Sequence, residues 1–221
     1  MRPSPLRRGI FAAASCMIMI GAGAVPALAP ADTQGTPTAS IAKVGVSVKR
    51  LNIRAGRRVV VIGSVAPATK GLIASLQVKH GSRWFTIARD RTSATGRYVL
   101  RSRRAAPMSA PVRVHVRAHG ARVQRRVGRL NVYRWAQASW YGPGFYGRRT
   151  GCGGTLGYSQ LGVANKSLPC GTKVTLRHRG HVVRVPVIDR GPYSGAREYD
   201  LTAATARKLG FHGHGDIQTT R

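Results

Sequence analysis

Acidic side chains are scarce in this sequence of 221 residues, which has six Asp and Glu against 37 Lys and Arg. Such an excess of positive charge indicates a polyanionic partner, and nucleic acid is the usual one. The sequence lacks, however, an RNA-binding motif with interspersed aromatic residues, the Cys and His spacing of a zinc finger and a helix-turn-helix pattern. We therefore expect no nucleic-acid partner, and an extracellular DNA binder stays only as a minor alternative.

Long apolar runs are also missing, apart from one that spans Ile10 to Val25. A basic segment precedes this run and small residues follow it, an order typical of a secretory signal peptide. We expect the signal peptide to cover residues 1–31, with cleavage after Ala31 or, alternatively, after Ala29. A retained membrane anchor is the competing interpretation, but the run is short and rich in Ala and Gly. The sequence thus predicts a secreted protein without a stable membrane span after cleavage. Because the abundant polyanions outside the membrane are cell-wall and envelope polymers, the positive charge then predicts a location at the cell wall.

Cysteines are few, and one of the three lies in the signal peptide. The mature chain keeps Cys152 and Cys170. In an oxidising compartment an even number of cysteines favours a disulfide bond. A pair of buried thiols is the alternative.

The first half of the mature chain has the pattern of an all-β fold. After a polar leader at residues 32–40, about seven short apolar-alternating segments fill residues 41–134, and Val112, Val114 and Val116 alternate with polar residues. Strands at this spacing predict a β-sandwich. The segment resembles bacterial immunoglobulin-like domains, although the Cys–Trp–Cys set of antibody domains is absent.

This half is also strongly basic, because residues 40–135 contain 22 Lys and Arg and a single acid, Asp90. Outward-facing strand positions that are simply solvated would explain the charge. The alternative is a docking surface for anionic wall polymer, since so much like charge on a small domain requires a counter-charge. We prefer the docking surface.

The second half, residues 136–221, begins with a glycine-rich stretch and contains four of the six acids. A hairpin is predicted around Arg179-Gly180, and a helix from Leu201 to Leu209 that ends at Gly210. Asp200 directly precedes this helix and is expected to cap it. Glu198 is expected in an exposed ion pair. Asp189 follows an apolar strand, a position from which a rigid element can present a carboxyl group to substrate.

Four blocks in this half resemble rare lipoprotein A (RlpA)-like proteins: ASWYGPGFYGRRT at 138–150, LGVANKSLPCGTKV at 161–174, VPVIDRGPY at 185–193 and YDLTAATARKLGF at 199–211. The resemblance covers about 80 of the 221 residues. It implies a six-stranded double-psi β-barrel with a short helix, related to the first domain of expansins and to barwin-like proteins. It also implies lytic transglycosylation of peptidoglycan glycan strands.

Candidate site residues lie in these blocks. Asp189 is the expected catalytic acid/base, with supporting or substrate-binding roles for six other residues: Asn165, Asp200, Tyr141, Arg190, Trp140 and Tyr146. The aromatic side chains among them are expected to line a sugar groove by stacking, with a place in the core as the alternative. Asn165 is expected to orient a carboxylate or a sugar hydroxyl, or else to hydrogen-bond a turn. Family members with assigned enzymatic roles typically carry Glu, Asp and His where this chain, matched by spacing, has Gly154, Gly157 and Asn165.

Two hypotheses for function follow from these features. The first is a secreted peptidoglycan lytic transglycosylase that uses a single carboxyl group, because the substrate's own muramyl C6 hydroxyl acts as the nucleophile. The second is a non-catalytic, expansin-like protein that binds cell-wall polysaccharide. Both have peptidoglycan glycan strands and anionic wall polymers as partners. No cofactor or metal is expected, since His212 and His214 lack further spaced ligands, and the oligomeric state is left open.

Overall fold

The computed structural model describes residues 43–118 and 121–221. The predicted signal peptide and polar leader lie outside these residues, as does the predicted start of the sandwich at Ile41. In the described part of the chain, no helix is long and apolar enough to cross a membrane. The fold is almost entirely β, with thirteen strands and one helix among the described residues.

Eight strands build the first half. They are β1 (Lys43–Arg50), β2 (Asn52–Arg54), β3 (Arg58–Ala66), β4 (Ile73–His80), β5 (Arg83–Arg91), β6 (Arg97–Arg103), β7 (Met108–Ala118) and the first part of β8 (Ala121–Tyr141). One sheet has the order β1-β3-β6, and the other has the order β5-β4-β7-β8, with β2 paired to β8.

The two sheets share one hydrophobic core. Val61 of β3 and Leu100 of β6 are fully buried, as are Leu76 of β4 and Val114 of β7 from the opposite sheet. Alternate residues of each strand point inward, so the intervening Arg and Lys face solvent. This is the two-sheet arrangement expected from the alternation. Its immunoglobulin-like character stays a prediction.

Strand β8 continues through the predicted domain boundary at Trp135 without a break. Its first part pairs with β7 from Ala121 to Val132, and its second part enters the barrel by pairing with strands that follow it in the chain. Residues 43–118 and 121–221 fall in one compact unit. The junction is therefore a shared strand rather than a linker.

Six strands form the barrel. They are the end of β8, β9 (Val163–Ala164), β10 (Lys173–His178), β11 (His181–Asp189), β12 (Tyr199–Thr202) and β13 (Gly215–Thr219). They pair in the order β12-β9-β11-β10-β13-β8, and β12 also pairs with β8, which closes the sheet on itself. The predicted hairpin joins β10 to β11, with Arg179 and Gly180 in its turn at positive φ.

The helix α1 (Ala203–Leu209) ends at Gly210 as predicted, but Asp200 does not cap it. Thr202 is the cap, because its side chain accepts a hydrogen bond from the backbone N–H of Thr205. Asp200 lies two residues earlier, within β12, paired with Ser139 of β8. The N-cap prediction was wrong since the strand continues to Thr202, which leaves the carboxyl group of Asp200 available for another role.

Candidate functional site

Asp189 is the last residue of β11, and three donors converge on its half-buried carboxylate. The backbone N–H groups of Gly151 and Arg190 donate to Oδ1 at 2.6 and 2.8 Å. The phenol of Tyr141 donates to Oδ2 at 3.2 Å. The donors come from the end of β8, from the glycine-rich loop and from the residue after β11. The carboxylate is therefore held in one orientation by three separate parts of the barrel.

Gly151 is required at its position because its backbone comes so close to Arg190. A Cβ atom there would lie 2.8 Å from Cγ of Arg190 and 3.1 Å from its backbone nitrogen. These distances are shorter than normal contacts and involve atoms that cannot easily move. Only glycine lets the N–H group reach Asp189 without displacing the Arg190 N–H group that donates to the same oxygen.

Asp200 is the second carboxyl group of the site, and it is held differently. Its Oδ1 accepts a single hydrogen bond, from Oγ of Ser139 at 2.8 Å, and Arg197 in turn donates to that Ser139 oxygen at 2.9 Å. Burial raises the pKa of Asp200 above its ordinary value, and the nearby Asp189 acts in the same direction. The Ser139 hydrogen bond and the charge of Arg197 oppose this shift. Asp200 thus holds a proton more readily than a solvated Asp.

Tyr141 lies close to both carboxylates. Burial raises its pKa above the ordinary value, and Asp189 and Asp200 act in the same direction. The phenol is therefore neutral over the physiological range and remains a hydrogen-bond donor. Tyr141 thus contacts Asp189 as a hydrogen-bond donor, and its predicted role in substrate binding stays a prediction.

Both carboxyl groups line one open groove of about 300 Å³. Its other lining residues are Tyr141, Phe145, Ala164, Arg190, Gly191, Pro192, Tyr193, Ser194 and Arg197. Asp189 thus faces a cleft and is not sealed in a pair with an arginine. The exposed rings of Phe145 and Tyr193 are the aromatic faces on which a sugar can stack.

Two of the predicted aromatic residues lie elsewhere. Trp140 is exposed near the end of β8 and does not line the groove. Tyr146 packs its ring against Tyr158, with 5.4 Å between the centroids. Sequence reasoning missed Phe145 and Tyr193, since their position relative to Asp189 depends on how two loops fold over the barrel.

The Asn165 side chain hydrogen-bonds a turn, which is one of the roles expected of it. Its Oδ1 accepts the backbone N–H groups of Ser167 and Leu168 at 3.1 and 2.8 Å, and its Nδ2 donates to the carbonyl of Glu198 at 2.9 Å. One amide hydrogen is left over. The Asn165 side chain therefore shapes the loops beside the groove.

Arg190 likewise holds loops together. Its Nη1 donates to the carbonyl groups of Asn165 and Leu168 at 3.1 and 2.9 Å, and its Nη2 lies 2.7 Å from Sγ of Cys170. These contacts occupy much of the guanidinium, although the residue also lines the groove. Arg190 thus connects the loop that carries Asp189 to the disulfide.

The predicted disulfide is present between Cys152 and Cys170. Cys152 directly follows Gly151, so the disulfide secures the loop whose backbone donates to Asp189. In the same loop, Gly154 has a φ of 81°, where a side chain would be strained, whereas a Cβ at Gly157 would meet only Gln160, at 3.9 Å.

Glu198 forms the expected ion pair, with Arg134 as its partner. Two guanidinium nitrogens of Arg134 donate to its two oxygens at 2.9 and 2.6 Å, and both side chains are more than a third exposed. Glu198 therefore balances charge on β8 and does not line the groove.

Comparison with known proteins agrees with this geometry. Residues 135–220 match a double-psi β-barrel family model described as lytic transglycolase. The "Probable endolytic peptidoglycan transglycosylase RlpA" of Synechocystis sp. is 49% identical over 80 residues, which are 35% of this chain and 25% of that protein. The "Endolytic peptidoglycan transglycosylase RlpA" of Campylobacter jejuni is 43% identical over 74 residues, covering 33% and 27%. The chain thus spans about a quarter of the length of these relatives.

Among solved structures, the Streptomyces papain inhibitor covers 40% of this chain and 94% of its own, with 24% identity and a TM-score of 0.32. That score is too low to bear on the fold. The family model covers the six strands of the closed barrel, and the matched range includes Asp189, Asp200 and Tyr141. Residues 135–220 therefore match the lytic transglycolase family model and are similar in sequence to RlpA-type transglycosylases.

Proposed function

We propose that the protein is a secreted cell-wall enzyme that cleaves peptidoglycan glycan strands by lytic transglycosylation, with residues 136–221 as the catalytic domain. The observation that carries this proposal is the meeting of Asp189, Asp200 and Tyr141 in one open groove of the matched domain. Residues 41–134 form a second, immunoglobulin-like domain that holds the enzyme on anionic wall polymer.

Two carboxyl groups with different surroundings suit the two proton transfers of the reaction. Asp200, whose pKa is raised by burial, donates its proton to the glycosidic oxygen as the C1–O4 bond breaks. Asp189 accepts the proton of the muramyl C6 hydroxyl as the C1–O6 bond forms. The proton on Asp189 then returns to Asp200 through solvent, so no water molecule is consumed.

This division of roles changes the single-carboxyl scheme expected from the sequence. Asp189 meets only hydrogen-bond donors among the contacts of its carboxylate, which suits a proton acceptor. Asp200 has only one such donor, Ser139, so its other oxygen is available to carry a proton. Tyr141 orients Asp189 and does not itself exchange a proton.

Purified mature protein tests this proposal when it is incubated with peptide-free glycan strands and the products are analysed for anhydro-muramyl ends. We expect such ends from the wild type, and at least a hundredfold slower release from Asp189→Asn and from Asp200→Asn. The alkaline limb of the pH–rate profile should disappear in Asp200→Asn, because the pKa of Asp200 is raised by burial. A wild type that releases no anhydro-muramyl product at any pH contradicts the proposal.

The second candidate function is a non-catalytic, expansin-like protein that binds wall polysaccharide. It is favoured by Gly154 and Gly157, where enzymatic relatives were expected to carry acids, and by the use of the Asn165 side chain in a turn. This function predicts that the protein sediments with intact wall, that salt weakens the association, and that Asp189→Asn leaves it unchanged.

A further inference from the structure

Six arginines surround a second cleft, of about 610 Å³, which lies outside the groove. They are Arg50, Arg54, Arg57, Arg58, Arg103 and Arg177, and the other lining residues are Asn52, Ile53 and Gly56. Five of these arginines belong to the sandwich and Arg177 to β10 of the barrel. We propose that this cleft binds a phosphodiester-linked polyol polymer of the cell wall. This inference rests on the proposed function, but only on its placement of the protein at the cell wall and not on the proposed catalysis.

A tight turn holds three of the arginines in place. The N–H group of Arg57 donates to the carbonyl of Arg54 at 3.0 Å, and Gly56 takes a φ of 82° between them. The backbone N–H group of Ala55 is bonded to the carbonyl of Tyr133 at 2.8 Å, which ties the turn to β8. Arg54, Arg57 and Arg58 therefore project from a fixed backbone, which reduces the entropy lost on binding.

Two further arginines are oriented by their neighbours. Nε of Arg103 donates to the carbonyl of Gly56 at 2.8 Å, which leaves its two terminal nitrogens free to face the cleft. The guanidinium of Arg177 lies over the ring of Tyr133, 6.0 Å from its centroid. Arg103 from the sandwich and Arg177 from the barrel therefore both line the cleft.

Within the described residues, none of the six guanidinium groups forms a salt bridge. No carboxylate lines the cleft. The only acid between Lys43 and Ala118 is Asp90, and its two oxygens already accept the backbone N–H groups of Arg91 and Val99 at 2.9 and 2.7 Å. Clustered like charges repel one another, so the cleft gains most from a dense external anion.

The chemistry of the lining selects a phosphate polymer. Guanidinium groups bind phosphate oxygens in pairs, with short charge-assisted hydrogen bonds. Single-stranded nucleic acid requires aromatic side chains on which bases stack, and no aromatic residue lines this cleft. Guanidinium groups also pair with carboxylates, so tighter binding of a carboxylated polysaccharide than of a polyol phosphate would overturn this choice of ligand.

Binding of poly(glycerol phosphate) to the mature protein tests the inference, measured by calorimetry at several salt concentrations. The triple variant Arg54→Gln, Arg57→Gln, Arg58→Gln removes three cleft charges. Its matched control is Arg83→Gln, Arg89→Gln, Arg122→Gln, which removes three exposed charges elsewhere in the sandwich. We expect the cleft variant to bind about tenfold more weakly than the control, and its slope of log K against log salt to fall by about 2.

Equal weakening in the two variants would overturn the inference, because it would show a diffuse effect of net charge. Tighter binding of single-stranded DNA than of poly(glycerol phosphate) would also overturn it. Release of anhydro-muramyl ends from soluble glycan strands is measured in parallel, and the cleft variant should retain it. Polymer binding without any product release refutes the catalytic proposal and leaves the cleft inference standing. Product release without polymer binding refutes the cleft inference and leaves the catalytic proposal standing.

Discussion

The phenol of Tyr141 donates a hydrogen bond to Oδ2 of Asp189 over 3.2 Å, which joins the last residue of β8 to the last residue of β11. These two strands are not neighbours in the barrel, since β9 and β12 lie between them. The contact thus spans one end of the barrel, where the groove opens. It makes the orientation of the carboxylate depend on the closure of the sheet.

Replacing Tyr141 with Phe tests the importance of this contact. We expect Tyr141→Phe to lower the rate of glycan cleavage about tenfold, because Oδ2 of Asp189 loses its hydrogen-bond donor. Tyr146→Phe is the matched control, since the Tyr146 ring lies against Tyr158 and has no contact with Asp189. Similar rates for the two variants, measured as release of anhydro-muramyl ends, would show that the phenol does not position Asp189.

Gly151→Ala is expected to disturb the other carboxylate oxygen of Asp189, Oδ1. The added Cβ would lie 2.8 Å from Cγ of Arg190, so the two backbone donors of Oδ1 must move apart. We expect a loss of cleavage larger than that of Tyr141→Phe, with about 1–3 kcal/mol of destabilisation from the forced contact.

Gly157→Ala provides the control for this glycine. It lies in the same loop, and its added Cβ would meet only Gln160, at an ordinary 3.9 Å. Urea unfolding and cleavage rates of both variants check the prediction. An unchanged Gly151→Ala would mean that the loop adapts and that the close backbone approach is not needed.

Asp200 should make stability depend on pH in a particular direction. Its folded-state pKa is raised above the ordinary value of 3.8 by burial. The stability that this group contributes is therefore fully present below pH 3.8, and it is lost as pH rises through the raised pKa. We expect the free energy of unfolding of the wild type to fall relative to that of Asp200→Asn as pH increases across this window.

Urea denaturation at a series of acidic to neutral pH values measures this difference. Asp216→Asn removes an exposed carboxyl group on β13 and is the control. The same pH trend in the control would assign the effect to net charge rather than to the burial of Asp200.

Reduction of the Cys152–Cys170 disulfide is expected to lower both stability and activity. The bond joins residues 18 apart in sequence, and opening such a loop costs about 3 kcal/mol in the chain-entropy model. Activity should fall even where the fold persists, because Gly151 precedes Cys152 and donates to Asp189. The double variant Cys152→Ser, Cys170→Ser checks this in oxidising buffer. Full activity in the folded double variant would contradict the link between the disulfide and the site.

Several local features could be predicted because they depend on neighbours in sequence. Strict alternation predicted β7, and the Arg179-Gly180 pair predicted the hairpin between β10 and β11. Asp189 could be placed at the end of a strand because Val185, Val187 and Ile188 precede it. The disulfide and the ion pair of Glu198 followed from the count of cysteines and the excess of positive charge.

Other features depended on contacts between distant residues. The order of residues placed Asp200 before a helix, yet pairing with β8 and β9 extended the strand to Thr202 and turned the carboxyl group toward the groove. Phe145 and Tyr193 face that groove for a similar reason, since separate loops bring them there. Trp140, by contrast, was predicted to line a sugar groove, but it is not among the residues that line the groove around Asp189.

The amino-acid sequence alone was enough to establish the scarcity of Asp and Glu, the alternating strands and the position of Asp189 after an apolar strand. These are properties of composition and of the local backbone, for which near neighbours suffice. Tertiary structure alone decided that Phe145 and Tyr193 face the groove and that six arginines meet at one cleft, because folding brings together residues that are far apart in the chain.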